Sequence, residues 1–231
     1  MNIVITGASR GIGYELVKKM SSDGLNTVIA VSRDSAKLEN LRKECGENVI
    51  VYATDLSDES SVSKLIREIK QRGLFIHYLV NNAGAIVNKP FMELSHADLE
   101  YVYSVNVFSA IRIIQGLIPL MDKNQRCHVV NISSMGGFQG SAKFAGLSAY
   151  SSGKAALACL TECLAEEFKG QNVAFNCLAL GAVQTEMLEN AFPGYKAPVT
   201  ASEMAGYIAD FVVNAHNFLN GKIIPVSLST P

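Results

Sequence analysis

Short apolar runs alternate along the chain with longer segments in which apolar residues recur every three or four positions. Residues 2–6 form one such run, and the following segment, 12–20, carries apolar residues at positions 12, 16, 17 and 20. The first pattern is typical of a β-strand and the second of a helix with one buried face. The same two patterns repeat to the end of the chain.

This alternation predicts an α/β fold. The predicted strands are continuous apolar runs, which indicates that both faces of the sheet are buried, and strands separated by helices form parallel sheets covered on both faces. We therefore predict one doubly wound domain over residues 1–231, with a seven-stranded parallel sheet. The predicted strands are 2–6, 27–31, 49–53, 76–80, 128–132, 173–180 and 223–226. The predicted helices are 12–20, 34–44, 62–69, 98–121, 149–168 and 201–214.

The composition excludes a disordered chain and offers no surface for a polyanion. Of the 231 residues, 48% are hydrophobic and 18% are charged, whereas disorder needs low hydrophobicity and high net charge. Lys and Arg number 20 and Asp and Glu number 21, for a net charge of −1. We therefore expect no nucleic acid and no anionic membrane as a partner.

Targeting signals and cysteine usage favour a cytoplasmic location. Met1 leads directly into a strand-like run rather than a signal peptide, and no uninterrupted apolar run reaches the roughly 18 residues of a membrane span. The five cysteines contain no C-x-x-C pair and have no zinc-ligand spacing, so no metal is implied. We expect them to be small buried residues of a protein in a reducing compartment.

A glycine-rich loop at residues 6–13 follows the first predicted strand and opens the first predicted helix. Gly7 allows a tight turn, Gly11 lets the backbone approach a ligand, and Gly13 lets the helix pack closely on the strand. The free N–H groups and the positive dipole end of the helix favour an anion there. The loop therefore predicts a binding site for the pyrophosphate of a dinucleotide.

Six further motifs follow in order at the predicted strand ends or within helices. They are Asp55, the segment Asn-Asn-Ala-Gly at 81–84, Asn106, the segment Asn-Ile-Ser-Ser at 131–134, the pair Tyr150 and Lys154, and the segment at 180–185. With the glycine loop, these motifs resemble the short-chain dehydrogenase/reductase family over nearly the whole chain. The resemblance implies a Rossmann-type fold and an NAD(P)-dependent oxidoreductase, similar to 3-oxoacyl-[acyl-carrier-protein] reductases and carbonyl reductases.

The resemblance also implies which residues bind the cofactor. Asp55 would bond the adenine amino group, and the segment at 181–185 would hold the nicotinamide carboxamide. The sequence departs from the family at Leu180, where relatives usually carry proline. The implied cofactor-binding residues are Gly7, Ser9, Arg10, Gly11, Ile12, Gly13, Arg33, Asp55, Leu56, Asn82, Ala83, Gly84, Tyr150, Lys154, Gly181, Val183 and Thr185.

The end of the second strand predicts NADP(H) in preference to NAD(H). An acidic residue there would bind the ribose 2′-hydroxyl of NAD, whereas an arginine would pair with the 2′-phosphate of NADP. The chain has Ser32 where NAD-preferring relatives typically carry Asp, and Arg33 follows. By resemblance Arg10 is a second cation near that phosphate. Asp34 opposes this assignment, but we expect its side chain to point away.

Four residues form the candidate catalytic group. Tyr150 and Lys154 lie one helical turn apart, and a nearby ammonium would lower the tyrosine pKa, so Tyr150 is a plausible general acid for carbonyl reduction. Only one of the adjacent Ser133 and Ser134 can point into the site, and the resemblance favours Ser134 as the residue that hydrogen-bonds the carbonyl oxygen. By resemblance Lys154 also bonds the nicotinamide ribose, and Asn106 holds a water that links Lys154 to solvent.

By resemblance we expect the substrate to be a ketone or an aldehyde, with a 3-oxoacyl thioester as an open alternative. Met187, Leu188, Phe192 and Tyr195 indicate a compact apolar pocket. The segment between Ser134 and Tyr150 is longer than in many relatives and carries Phe138 and Phe144, which we expect at the substrate mouth.

Two further interpretations concern regulation and assembly. The alternative function is a non-catalytic dinucleotide-binding sensor on the same fold, although such proteins typically lose the Tyr or the Lys that this chain keeps. By resemblance we also expect a homodimer or homotetramer formed through the helices after the fourth and fifth strands. The apolar residues there, which could equally pack on the sheet, are Tyr101, Tyr103, Phe108, Leu157, Leu160 and Leu164.

Overall fold

The computed structural model describes residues 1–122 and 124–228. Its main element is a parallel sheet of seven strands, in the order β3-β2-β1-β4-β5-β6-β9. These strands are β1 Asn2–Thr6, β2 Thr27–Ser32, β3 Val49–Ala53, β4 Tyr78–Asn81, β5 Cys127–Ser134, β6 Val173–Leu180 and β9 Lys222–Val226. A separate pair joins β7 Val183–Gln184 to β8 Val199–Thr200.

Helices cover both faces of the sheet. One buried apolar cluster joins the sheet to α1, α2 and α8, and a second joins its other face to α3, α5 and the end of α6. The helices are α1 Gly11–Ser21, α2 Ser35–Cys45, α3 Glu59–Gln71, α4 His96–Tyr103, α5 Ser109–Leu117, α6 Ser148–Glu167, α7 Glu186–Ala191 and α8 Ala201–Asn214. The predicted doubly wound α/β fold with seven parallel strands is therefore confirmed.

Several helices begin where the sequence provides a side-chain cap. The carboxylate of Asp58 accepts a hydrogen bond from a backbone N–H in the first turn of α3. Reciprocal capping boxes start α4, between Ser95 and Asp98, and α8, between Thr200 and Glu203. Each cap satisfies N–H groups that have no partner inside the helix, which is typically worth about 1 kcal/mol.

The strand order places a cleft at the carboxyl edge of the sheet. The chain moves outward from β1 to β2 and β3, and then returns to place β4 on the other side of β1. Connections leave in opposite directions at this point, and ligands of open α/β sheets bind in the resulting crevice. The glycine loop after β1 and the Asn-Asn-Ala-Gly segment after β4 therefore lie side by side.

The predicted helix at 98–121 is in fact not one regular helix. A π-helical turn, Ser104–Phe108, separates α4 from α5, and a 3₁₀ turn, Ile118–Leu120, ends the run at Pro119. The side-chain amide of Asn106, inside the π turn, hydrogen-bonds the backbone of Ala85 in the segment after β4. Single π turns of this kind occur often at functional sites, and apolar periodicity does not reveal them.

The same helical run is the one described segment that is long and apolar enough to cross a membrane by length and composition. It spans His96–Leu120, and half of its most apolar window is buried inside the fold. The inward residues of α5 belong to the cluster on one face of the sheet, which accounts for this apolar character.

Two cysteines depart from the expectation of burial. Cys127 and Cys177 are buried in β5 and β6 as predicted, and Cys45 is half-buried. The prediction is wrong for Cys159 and Cys163, which lie exposed on α6. None of the five forms a disulfide.

A buried histidine joins β5, β6 and α8 below the sheet's amino edge. His128 is completely buried; its Nδ1 lies 3.0 Å from the carbonyl oxygen of Val212, and its Nε2 lies 2.9 Å from Nδ2 of Asn176. Asn176 is fixed in orientation, because its Nδ2 also donates to Leu219 O and its Oδ1 accepts from Lys222 N. His128 is therefore neutral, with its proton on Nδ1. Burial lowers the pKa of His128 to about 3.

The neutral His128 makes the fold sensitive to acid. In the unfolded chain His128 takes up a proton near pH 6.5, whereas in the folded chain it stays neutral until about pH 3. The stability of the folded state that depends on neutral His128 is therefore complete above pH 6.5 and is lost as the pH falls. When the pH falls from 7.5 to 5.5, we expect the unfolding free energy to decrease by about 1.4 kcal/mol because of His128. Urea unfolding of the wild type and of His128→Gln at both pH values measures this decrease. Equal losses in the two proteins would contradict the assignment.

Candidate active site

The cleft at the carboxyl edge of the sheet has a volume of about 500 Å³. That size suits a bound small molecule or cofactor. Of the site residues predicted from the sequence, all but Gly13 and Asn106 line this cleft. These two lie directly behind the lining, where each supports a wall.

Gly13 supports the phosphate loop by its lack of a side chain. A Cβ at this position would lie 2.3 Å from Gly7 O and 2.5 Å from Nδ2 of Asn82. Gly7 itself has φ +70°, a left-handed conformation that favours glycine. The first turn of α1 can therefore meet the end of β1 only with glycine at both positions.

Hydrogen bonds from the segment after β4 hold the phosphate loop in place. The hydroxyl oxygen of Thr6 accepts from the backbone N–H groups of Asn82 and Ala83, at 3.1 and 3.0 Å. The amide of Asn82 donates to the carbonyl oxygens of Thr6 and Gly7. No side chain caps the start of α1, so its first N–H groups remain available to the cleft. This arrangement fits the pyrophosphate of a dinucleotide.

The carboxyl end of β2 carries Arg33, exposed in the lining of the cleft. The adjacent Ser32 donates a 2.7 Å hydrogen bond to the hydroxyl of Ser9 and so ties the phosphate loop to this strand end. Asp34 also lines the cleft, and its carboxylate accepts from the backbone N–H of Lys37 and so caps α2, which begins one residue later than predicted. That its side chain points away from the cofactor ribose stays a prediction.

Asp55, after β3, combines a place in the lining with a structural bond. Its Oδ1 accepts from both the backbone N–H and the hydroxyl of Ser57, at 2.9 and 2.7 Å, and so forms the turn before α3. The cap of α3 is Asp58 and not Asp55.

An ion pair that the sequence did not predict spans the cleft. Nη1 of Arg10, in the phosphate loop, lies 2.8 Å from a carboxylate oxygen of Glu186, the first residue of α7. Nζ of Lys37 lies 4.0 Å from the other oxygen of the same carboxylate. Lys37 and Glu186 are both lining residues. Their separation from Arg10 along the chain leaves no sequence pattern that would reveal the contact.

Lys154 lies buried at the base of the cleft, with 3% of its surface exposed. Its Nζ donates a 2.7 Å hydrogen bond to the carbonyl oxygen of Ile132 and lies 5.9 Å from the ring centre of Tyr150. Burial lowers the pKa of Lys154 to about 8, since the charged form loses hydration. The ammonium group still predominates at pH 7.

Tyr150 is half-buried, and its phenol lies near the hydroxyl of Ser134. Burial raises the pKa of Tyr150, and the polar interaction with Ser134 opposes that effect only in part. The expected lowering of this pKa is therefore wrong for this structure, because loss of hydration is the largest effect on the phenol. Tyr150 is a neutral phenol at pH 7.

The two serines at the end of β5 point to different partners. Ser133 donates a 2.8 Å hydrogen bond to the backbone carbonyl of Lys154 and so attaches β5 to α6. Ser134 lies beside Tyr150, and its hydroxyl also accepts from the backbone N–H of Gly136 at 3.1 Å. Of the pair, Ser134 carries the hydroxyl that meets the tyrosine.

Asn106 holds the wall of the cleft after β4. Its Oδ1 accepts from the backbone N–H of Ala85 and its Nδ2 donates to the carbonyl oxygen of the same residue, both at 2.8 Å. Gly84 fits between Asn106 and Lys154, since a Cβ there would lie 3.4 Å from Oδ1 of the asparagine and 3.4 Å from Nζ of the lysine. The proposed water relay through Asn106 stays a prediction.

Beyond Tyr150 the cleft becomes apolar. Met187, Leu188, Phe192 and Tyr195 line it as predicted for an apolar pocket, and so does Phe144, whereas the expectation for Phe138 is wrong because that residue lies outside the lining. The other residues at this end were missed, because single apolar residues in loops carry no periodic signal. The lining residues at this end are Ile86, Phe144, Leu147, Met187, Leu188, Ala191, Phe192 and Tyr195. No group of three or more His, Cys, Asp or Glu side chains able to hold a metal occurs within the described ranges.

The chain matches the family model for short chain dehydrogenases over residues 1–196. It therefore belongs to the short-chain dehydrogenase family of NAD(P)-dependent oxidoreductases, which confirms the resemblance drawn from the motifs.

Individual relatives agree with this assignment. The chain is 30% identical to a 3-oxoacyl-[acyl-carrier-protein] reductase of Aquifex aeolicus, over 97% of this chain and 94% of that one. It is 29% identical to a fatty acyl-CoA reductase of Acinetobacter baylyi, over 92% of this chain and 71% of the relative. A solved short chain dehydrogenase/reductase family protein superposes with a TM-score of 0.87 at 25% identity, over 98% and 95% of the two chains.

The close packing at Gly13 generates a test with an internal control. We expect Gly13→Ala to weaken dinucleotide binding at least tenfold and to lower stability by about 1–3 kcal/mol, as overpacking does. Gly206→Ala, on α8, meets no atom within 4 Å and should stabilise the protein by up to about 1 kcal/mol. Thermal unfolding and fluorescence titration with NADPH measure both variants. Unchanged binding in Gly13→Ala would contradict this account of the loop.

Proposed function

We propose that the protein reduces a ketone or an aldehyde to an alcohol with NADPH, with Tyr150 as the general acid. The observation that carries the proposal is the position of Tyr150 and Ser134 together in the lining of the cleft, with Nζ of the buried Lys154 5.9 Å from the ring centre of Tyr150. Two hydroxyl groups side by side can bind one carbonyl oxygen, and a nearby positive charge stabilises the phenolate left after proton transfer.

The roles of the four residues follow from their protonation. Reduced nicotinamide supplies a hydride when bound. Tyr150 is protonated at neutral pH and can donate its proton to the oxygen of the developing alcohol, because its raised pKa keeps it in the acid form. Ser134 donates a hydrogen bond to the same oxygen. Lys154 stabilises the resulting phenolate and binds the ribose hydroxyls, while Asn106 holds the loop at Ala85 and supports the relay of a proton.

The dinucleotide would extend across the whole cleft. The first turn of α1 and the glycine loop hold the pyrophosphate, Asp55 and Leu56 the adenine, and Val183 and Thr185 the nicotinamide. Arg33 is the principal partner of a 2′-phosphate, and Lys37, whose Nζ is 4.0 Å from Glu186, is a more weakly paired second cation at the same end. Arg10 shares its charge with Glu186 and contributes less than the sequence suggested.

The substrate, assembly and location complete the proposal. An apolar pocket without a charged side chain beyond Tyr150, among the described lining residues, favours a neutral apolar carbonyl compound, and the names of the two curated relatives keep 3-oxoacyl thioesters in this class. We infer one catalytic domain over the chain, and a cytoplasmic homodimer or homotetramer. Support for assembly is the exposure of Leu99 and Phe108 beside α6, at 37% and 43%. Leu157, by contrast, is buried, and Leu164 packs against the second apolar cluster of the sheet.

Replacement of the tyrosine hydroxyl tests the chemistry. We expect Tyr150→Phe to lower kcat for carbonyl reduction by about 10²–10⁴ while NADPH binding changes less than threefold. Tyr195→Phe, in the same cleft but at a residue that is 47% exposed, should keep most of the activity. NADPH oxidation with ketones, aldehydes and 3-oxoacyl thioesters measures turnover. Full activity in Tyr150→Phe would contradict the role. NADPH binding by the wild type with no turnover would favour a dinucleotide sensor instead.

Removal of the arginine at the end of β2 tests the cofactor preference. We expect Arg33→Ala to lower the NADPH-to-NADH ratio of kcat/KM by about 10–100-fold, because a hydrogen bond to a charged group contributes about 1.5–3 kcal/mol. Arg42→Ala serves as the control, since Arg42 pairs with Glu39 on α2, outside the cleft. A ratio that is the same in Arg33→Ala and the wild type would show that the phosphate does not meet this residue.

A further inference from the structure

Two aromatic rings from distant segments meet in the apolar part of the cleft lining. Phe144 lies in the lengthened loop between β5 and α6, and Phe192 follows α7 directly. Their ring centres are 5.5 Å apart with the planes at 66°, an edge-to-face contact. Both rings line the cleft, so their contact bridges its two sides beyond Tyr150. Pairs of this geometry contribute about 0.5–1.5 kcal/mol beyond the area they bury.

A hydrogen-bonded frame holds the two rings opposite each other. Nδ2 of Asn88, in the segment after β4, donates a 3.0 Å bond to the carbonyl oxygen of Ala191, next to Phe192. The backbone N–H of Lys89 donates a 3.0 Å bond to the carbonyl oxygen of Gly146, two residues after Phe144. One segment therefore fixes the chain beside both rings.

At Gly146 the loop packs so closely against the segment after β4 that only glycine fits. This residue has φ +82°, and a Cβ there would lie 2.1 Å from Oδ1 of Asn88. The long loop is consequently pressed against the segment after β4. Phe144 is held by backbone contacts and does not rest on its ring contact alone.

We propose that Phe144 and Phe192 limit the length of the apolar chain that a carbonyl substrate can carry. With the carbonyl oxygen at Tyr150 and Ser134, the rest of the substrate extends along the apolar lining towards the two rings. Each methylene buried along this path strengthens binding about fourfold, until the chain reaches the rings and further carbons stay outside. This inference rests on the proposed reduction for its reaction, but the length limit is a property of binding.

The test measures binding as well as turnover. Calorimetric titration of the NADP⁺-loaded protein with straight-chain alkanamides of four to twelve carbons gives the affinity for each length without any reaction. The kcat/KM values for straight-chain 2-alkanones of the same lengths give the second profile. The variants are Phe144→Ala and Phe192→Ala, with Phe138→Ala as control, because Phe138 is in the same loop but outside the lining.

We expect the wild-type affinity to rise about fourfold per methylene and then become constant at a definite length. In Phe144→Ala and Phe192→Ala the rise should continue for two or more further carbons, while amides shorter than the wild-type limit change less than threefold. Phe138→Ala should follow the wild type. If all lengths weaken equally in the ring variants, or if the limit does not move, the inference is wrong.

Failure of the proposed function has a different signature. If Phe144→Ala moves the length limit for the amides but the wild type reduces none of the ketones, the length limit stands and the proposed reaction is wrong. If the wild type reduces the ketones but all variants show the same length profile, the reaction stands and the length limit is wrong. Phe144 is 37% exposed in a loop, so its removal leaves the buried clusters of the sheet intact.

Discussion

The site depends first on one close contact, between the first turn of α1 and the two strands at the centre of the sheet. No atom beyond hydrogen fits on the α-carbon of Gly13, because Gly7 O and the amide of Asn82 occupy the space around it. This contact aims the helix N-terminus at the cleft and joins β1 to the segment after β4 through Thr6. This junction also fixes Gly84, because Gly84 ends the segment after β4 that Thr6 holds through Asn82 and Ala83.

A second constraint is the balance between burial and charge around Lys154. The lysine is desolvated but keeps its proton at pH 7, because its pKa falls only to about 8. Tyr150 is affected in the opposite sense by the same burial and remains a phenol. A neutral acid next to a retained cation is suited to delivering a proton to an oxygen that gains negative charge. The hydrogen bond from Ser133 to the backbone carbonyl of Lys154 fixes the position of α6, and so of Lys154, relative to β5.

The sequence was sufficient for the fold and for most of the site because both follow local rules. Strand runs, the glycine spacing and the Tyr150–Lys154 interval are each short-range patterns, and a parallel sheet brings strand ends to one edge. The π turn at Asn106 and the cap at Asp34 escaped because they depend on bonds to other elements or on one-residue shifts. The contact of Phe144 with Phe192 joins two loops without periodicity. The tyrosine pKa was misjudged because burial is a property of the packed cleft.

The ion pair between Arg10 and Glu186 has a consequence for how ligands enter and leave the cleft. It connects the phosphate loop to α7 across the opening, yet both side chains are about half exposed, at 48% and 56%. Exposed pairs of this kind contribute about 0–1 kcal/mol, so thermal motion separates them readily. The bonds below it, from Asn82 to the phosphate loop, are part-buried and persist. Breaking this ion pair therefore costs little, whereas the bonds from Asn82 keep the phosphate loop in place and the bond from Asn88 to Ala191 holds the other end of α7.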